Sequence, residues 1–126
     1  MISPATVVVV DDDASVRRGV ERLLRAAGYR VETFGSATEF LARAPITGPC
    51  CLVLDVRMPG QGGLELYQTL TASGREIPVV FITGHGDIPT VVRAMRAGAV
   101  DFLAKPFDDQ DLLDAVEQAL NGKRRG

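Results

Sequence analysis

The chain has 126 residues, with 14 Lys plus Arg against 16 Asp plus Glu, a formal net charge of −2 and 46% apolar residues. At domain sizes of roughly 100–150 residues this leaves room for one domain and no second catalytic lobe, and the near balance of charge excludes a nonspecific polyanion binder. No apolar run approaches the roughly 18–20 residues of a membrane span, and MISPATVVVVDDD has no basic segment ahead of its short apolar stretch, so the expectation is a soluble, cytoplasmic protein with no membrane partner.

Short β-branched runs alternate along the chain with longer segments of helical period. The first run, Val7 to Val10, is followed by Val16, Val20, Leu23, Leu24 and Ala27, one stripe of a helix that Gly28 closes. The second run, Arg30 to Phe34, alternates apolar with polar residues as an edge strand does. Ser36 and Glu39 then form a capping-box pattern ahead of Phe40, Leu41 and Ala44. Cys51 to Leu54 is the third run. Its neighbours Cys50 and Cys51 are the only cysteines, have no partner at metal-ligand spacing and read as buried strand thiols. A helix through Leu64, Leu66, Tyr67 and Leu70 ends near Gly74. After the fourth run, Val79 to Ile82, Asp87 and Pro89 start a helix through Val91, Val92 and Met95 that Gly98 closes. The fifth run, Val100 to Leu103, leads to Asp108 as cap of a helix whose face carries Leu112, Leu113, Val116 and Leu120.

Five such βα units predict an α/β fold, a doubly wound five-stranded parallel sheet between helices with right-handed crossovers. Ligands of open sheets of this kind sit at the carboxyl ends of the strands. Those ends carry Asp11-Asp12-Asp13 after the first run, Asp55 after the third, Thr83 after the fourth and Lys105-Pro106 after the fifth. Carboxylates gathered in one crevice repel, so they either protonate or hold a divalent cation. Hard oxygen donors suit Mg²⁺, with Mn²⁺ as a substitute. A hydroxyl and an ammonium opposite the metal complete a cage for phosphoryl oxygens, where catalysis is positioning and charge neutralisation. Taken singly, the acidic triplet also reads as a helix cap, Thr83 as a strand end and Lys105 as a surface charge. Their joint placement on four strand tips is what points to a site.

VVVVDDD, LVLDVRMPG, VVFITGHGD and DFLAKPF resemble, in order and spacing, the signature of bacterial response-regulator receiver domains, and most closely the FixJ-like branch that often precedes a LuxR-type DNA-binding domain. The resemblance spans about Thr6 to Leu120. It implies the flavodoxin- and CheY-like strand order 2-1-3-4-5, with residues 1–122 as the receiver and the basic stretch 123–126 as a tail or linker start. Asp55 then looks like the acceptor of a phosphoryl group from a sensor histidine kinase. Asp11 and Asp12 look like the acidic pair that organises Mg²⁺, Asp12 directly and Asp11 mostly through water, with Asp55 and the main-chain carbonyl of Arg57 as further ligands. Thr83 resembles the switch hydroxyl and Lys105 the cation that pairs with the phosphoryl group, and the Lys105–Pro106 bond is expected to be cis. Phe102 occupies the switch-aromatic position, although pattern alone also allows it to be core filler. Arg57 and His85 stand two residues beyond the acceptor and the switch threonine, where the family tunes loss of the phosphoryl group.

The implied activity is that of a two-component phosphoacceptor, self-phosphorylating and self-dephosphorylating but otherwise no enzyme. Its switched face, built from the fourth helix, fifth strand and fifth helix, would control either a phosphorylation-dependent homodimer or an output domain, with DNA reached only through an output domain absent from this chain. Two rival readings remain open at this point. Asp11-x-Asp13-x-Ser15 loosely matches the nucleophile loop of haloacid-dehalogenase-type phosphatases, with Asp11 as nucleophile, and an unphosphorylated pseudo-receiver would act by contact alone. A nucleotide-binding module is disfavoured, because neither GxGxxG nor GxxxxGK[ST] follows the first run.

Overall fold

Four consecutive valines have one favoured χ1 in a pleated strand and nothing polar to offer water, so a strand built from them lies at the centre of a sheet. The computed structural model, which describes residues 5–84, 88–96, 98–99 and 101–121, places them there. Strands β1 (Thr6–Val10), β2 (Arg30–Phe34), β3 (Cys50–Asp55), β4 (Val79–Thr83) and β5 (Asp101–Ala104) form one sheet in the order β2-β1-β3-β4-β5. Every pairing is parallel. All residues of β1 and β4 are buried, whereas β2 and β5, at the two edges, are only partly covered. The adjacent cysteines alternate across β3 as free thiols, Cys51 buried and Cys50 half-buried. Burial pushes the Cys51 thiol up to about 12, which leaves it inert as a nucleophile.

Helices α1 (Ala14–Ala26), α2 (Ala37–Leu41), α3 (Gly63–Ala72), α4 (Ile88–Arg96) and α5 (Asp109–Asn121) cover the sheet. On one face Val20 and Leu24 of α1 and Leu112, Ala115 and Val116 of α5 pack on Val7, Val9, Val53 and Ile82. On the other, Phe40 of α2 and Leu64, Leu66 and Leu70 of α3 pack on Val8, Val10, Leu52 and Phe81. Side chains of one strand thus serve both layers, as period two demands. The chain steps outward from β1 to β2 and then crosses back to β3, so the reversal of strand order falls between β1 and β3.

Several sequence expectations need correction. The helix through Ala44 stops at Leu41, because Pro45 disfavours helical backbone at the residue before it. Ala27 is exposed beyond the end of α1, and Leu113 and Leu120 are only partly buried. Val92 and Met95 of α4 are 42% and 37% exposed instead of facing the core. The last strand begins at Asp101, and Val100, Asp87, His85 and the basic tail lie outside the described residues.

Local capping follows the sequence closely. Asp13 accepts from the backbone N–H groups of Ser15 and Val16 at the start of α1, and Ser36 accepts from that of Glu39 at the start of α2. At α3 the helix enters so close to β3 that a Cβ on Gly63 would lie 2.2 Å from the Asp55 carbonyl oxygen, and one on Gly62 would lie 2.7 Å from that of Val56. Gly62 and Gly63, the last two residues of GQGG, are therefore a helix-to-strand contact. Gly63→Ala forces β3 and α3 apart, at a cost of about 1–3 kcal/mol for overpacking against backbone. The expected result is a thermal midpoint lower by about 5–15 °C in a calorimetric scan.

Candidate functional site: an acidic crevice at the switch point

Sheet register brings the strand tips into line. Val10 is opposite Leu54 and Thr83 is opposite Ala104, so Asp11 and Asp55, which follow the first pair, lie at the same edge as Thr83 and as Lys105, which follows Ala104. Backbone bonds extend the ladder there: Val56 N–H donates to the Ile82 carbonyl at 2.9 Å and Lys105 N–H to that of Thr83 at 2.8 Å. The Lys105–Pro106 peptide is cis.

Asp11 is fully buried, Asp55 is 6% exposed and Thr83 4% exposed, while Asp12 is exposed. One carboxylate oxygen from each of Asp11, Asp12 and Asp55 lies within 4.8 Å of the others. Lys105 bridges two of them, its Nζ donating to Asp11 Oδ2 at 3.1 Å and standing 3.6 Å from Asp55 Oδ2. Backbone N–H groups satisfy the other oxygens: Asp13 donates to Asp11 Oδ1 at 2.9 Å and Arg57 to Asp55 Oδ1 at 3.2 Å. Arg17, which no strand-tip pattern marks, donates from its guanidinium to the Asp11 carbonyl oxygen at 2.6 Å. The Thr83 hydroxyl donates to the Gly84 carbonyl at 3.2 Å.

Burial and the neighbouring Asp11 carboxylate push the Asp55 carboxyl from 3.8 up to about 7, although Lys105 and the Arg57 N–H pull it down. Burial draws the Lys105 ammonium downward, but its hydrogen bond and charge pairing with Asp11, and its pairing with Asp55, carry it above its ordinary value. The crevice therefore carries more negative charge than its one lysine offsets. Three hard oxygen donors with excess negative charge fit a divalent cation such as Mg²⁺ better than a soft or monovalent ion.

Asp13 is exposed and engaged as the α1 cap, and the acidic cluster is Asp11, Asp12 and Asp55. The Asp11-x-Asp13 pairing needed by the phosphatase reading is thus not what the fold assembles. Phe102 is 39% exposed on β5, opposite buried Phe81, which removes the core-filler alternative. Arg57 is exposed beside the crevice, and the role expected for His85 falls on a residue outside the described set.

Fold and crevice together define a doubly wound α/β domain with a cation-suited acidic site at its switch point. The family model described as response regulator receiver domain matches residues 7–117, and the chain belongs to that family. It is 53% identical over 121 residues to nodulation protein W of Bradyrhizobium diazoefficiens, covering 96% of this chain and 53% of that protein. It is 43% identical over 120 residues to the transcriptional regulatory protein FixJ of the same organism, covering 95% and 58%. Among solved structures it resembles response regulator StyR, with a TM-score of 0.88 and 58% identity over 94% of this chain and 60% of that one. The FixJ-N structure matches with a TM-score of 0.88 and 43% identity over 97% and 98%. The chain spans about half the length of the curated relatives it matches. It is a receiver domain of two-component response regulators, a class that works with sensor histidine kinases, binds Mg²⁺ at an acidic pocket and is generally not enzymatic. No helix among the described residues is long and apolar enough to cross a membrane.

Proposed function

We propose that Asp55 is the phosphoacceptor of this receiver. The observation that carries the reading is the lone lysine shared between Asp11 and Asp55 in a crevice with three carboxylates. An Asp55 oxygen attacks the phosphorus of a kinase phosphohistidine, the phosphorus–nitrogen bond breaks, the imidazole leaves with its electron pair and takes up a proton, and an aspartyl phosphate remains. Asp12, Asp55 and the Arg57 carbonyl would hold Mg²⁺, or Mn²⁺, with Asp11 acting through water. When bound, the cation neutralises the carboxylates and the incoming phosphoryl oxygens. Lys105 exchanges its carboxylate partner for a phosphoryl oxygen, and the Arg57 N–H keeps the acceptor carboxylate in place. Arg57 and His85 are assigned to tuning of phosphoryl loss. Residues 1–122 are assigned to the receiver and 123–126 to a basic tail or linker start, with action on DNA left to an output domain. Incubation with acetyl phosphate and MgCl₂ should add one phosphoryl mass that peptide mapping places on Asp55; a label on Asp11 would revive the phosphatase reading.

A kinase must bring its histidine to this crevice, and an apolar cleft of about 450 Å³ between α1 and the Lys105–Phe107 turn supports docking there. The opposite consequence, output, is assigned to α4, β5 and α5. Val92, Met95 and Phe102 are large apolar side chains left exposed there, beside the basic Arg93 and Arg96 of α4 and an acidic groove lined by Asp101, Asp111, Asp114 and Glu117. Neighbouring patches of opposite charge around apolar side chains suit pairing of two copies. Thr83 turns its hydroxyl from the Gly84 carbonyl to the new phosphoryl group, and Phe102 turns inward into the space released. One or two charge-assisted hydrogen bonds supply about 2–4 kcal/mol for that change. Thr83→Ala is therefore expected to keep Asp55 phosphorylation while weakening phosphorylation-dependent association at least about tenfold in sedimentation. Parent-like association of the phosphorylated variant would break the proposed coupling.

A further inference from the structure

Two of the three clustered carboxylates come from a single short connection, the turn between β1 and α1. Its geometry depends on how the peptide after Asp11 is held. Asp11 N–H donates to the Phe34 carbonyl and Asp13 N–H to Asp11 Oδ1, which ties the turn at two points. The third tie comes from a side chain, the Arg17 guanidinium on the Asp11 carbonyl oxygen at 2.6 Å. That guanidinium lies one turn into α1, against Gly35, where a built Cβ would stand 3.4 Å from Arg17 Nη1 and 3.1 Å from Glu39 Oε2. The guanidinium therefore lies where the β1–α1 turn meets the β2–α2 connection, at van der Waals distance from Gly35.

We infer that Arg17 is a positioning residue for divalent-cation binding, holding the Asp11–Asp12 peptide so that both carboxylates face the crevice. The inference rests on the assignment of that crevice to a cation. Its geometry and its charge act in opposite directions, which makes the role separable. As a positive charge near the acidic cluster, Arg17 opposes cation entry, and its neutral replacement would tighten binding if charge were its only effect. As the group that fixes the ligand-bearing turn it favours entry, and loss of groups that orient metal ligands weakens affinity by about 10–100-fold.

The test is a titration of the thermal midpoint with MgCl₂, without phosphodonor, for the parent, Arg17→Gln and Arg17→Lys. The expected result is a saturable rise for the parent and a midpoint of that titration displaced to about tenfold higher MgCl₂ in Arg17→Gln, with Arg17→Lys between the two. Equal or tighter binding by Arg17→Gln overturns the inference while leaving the cation site intact. If Arg17→Gln shows no cooperative transition, Arg17→Lys decides: weaker binding than the parent supports the role, and parent-like binding overturns it. A parent that MgCl₂ does not stabilise overturns the cation assignment and this inference together.

Discussion

Asp55→Asn is expected to abolish stable phosphoryl incorporation from acetyl phosphate in MgCl₂ and, in the same protein, to raise the thermal midpoint of the metal-free domain at pH 8 by about 3–6 °C. Both effects come from one carboxylate. Its oxygen is the proposed nucleophile, which an amide cannot replace, so the expected chemical loss is complete. Its negative charge is also the one the fold accommodates worst, because burial and the fully buried Asp11 raise its proton affinity while Lys105 is shared between the two. An amide of the same shape keeps a hydrogen-bonding oxygen for the Arg57 N–H and removes the repulsion. Intact mass and a calorimetric scan in EDTA measure the two effects. Incorporation that persisted in Asp55→Asn would place the acceptor elsewhere, and a lower midpoint would show that the carboxylate is stabilising, contrary to its raised proton affinity.

The second large effect is on pH dependence. With EDTA present, the difference in stability between the parent and Asp55→Asn is expected to turn against the parent as pH rises from about 4 to above 7. The Asp55 carboxyl sits at about 7 in the folded protein against 3.8 ordinarily. Between those values the folded chain holds a proton that the unfolded chain has lost, so protonation favours folding. That contribution is fully present below the unfolded value and is lost as pH climbs through the folded one. The raised Lys105 ammonium has the same sign but acts at the alkaline end, where its contribution is lost as pH rises beyond its ordinary value of 10.5, so it leaves the window below 8 unaffected. MgCl₂ binds the ionised carboxylates in competition with the proton and should recover the parent's loss above pH 6. Denaturant titrations at several pH values, with EDTA and with MgCl₂, measure this; a parent-minus-variant difference independent of pH would refute it.

Much of the site was legible because its residues stand at the ends of strands whose composition is unambiguous. Four valines and then three aspartates mark a tip without reference to any other part of the chain, and CCLVLD marks another. The strand ends carried the chemistry, and the resemblance to receivers supplied roles for Thr83, Phe102 and the cis Lys105–Pro106 bond that spacing could not. Helix faces were less legible. Val92 and Met95 fit a buried stripe by period, yet they are exposed, because period locates an apolar face but does not say whether the same chain covers it. The short α2 ends at Leu41, before its apolar pattern does, because the stop signal is a proline three positions beyond the cap, at Pro45. No local pattern marks Gly62 and Gly63, and only the approach of α3 to the Asp55 and Val56 carbonyls gives these two glycines a steric reason.

The sequence by itself determined the alternation of five strands and five helices, the buried centre of the sheet and the identity of the polar residues at each strand tip, since all of these depend on contiguous residues and their period. Tertiary structure decided what those tips do to one another. Parallel pairing set Asp11 beside Asp55 and bonded the Lys105 N–H to the Thr83 carbonyl, across separations of 44 and 22 positions. It also brought Lys105 onto two carboxylates and Arg17 onto the Asp11 carbonyl. Proton affinity, cation fit and the ordering of the β1–α1 turn all depend on distances of a few ångströms between groups far apart in the chain, and those distances exist only once the sheet has closed.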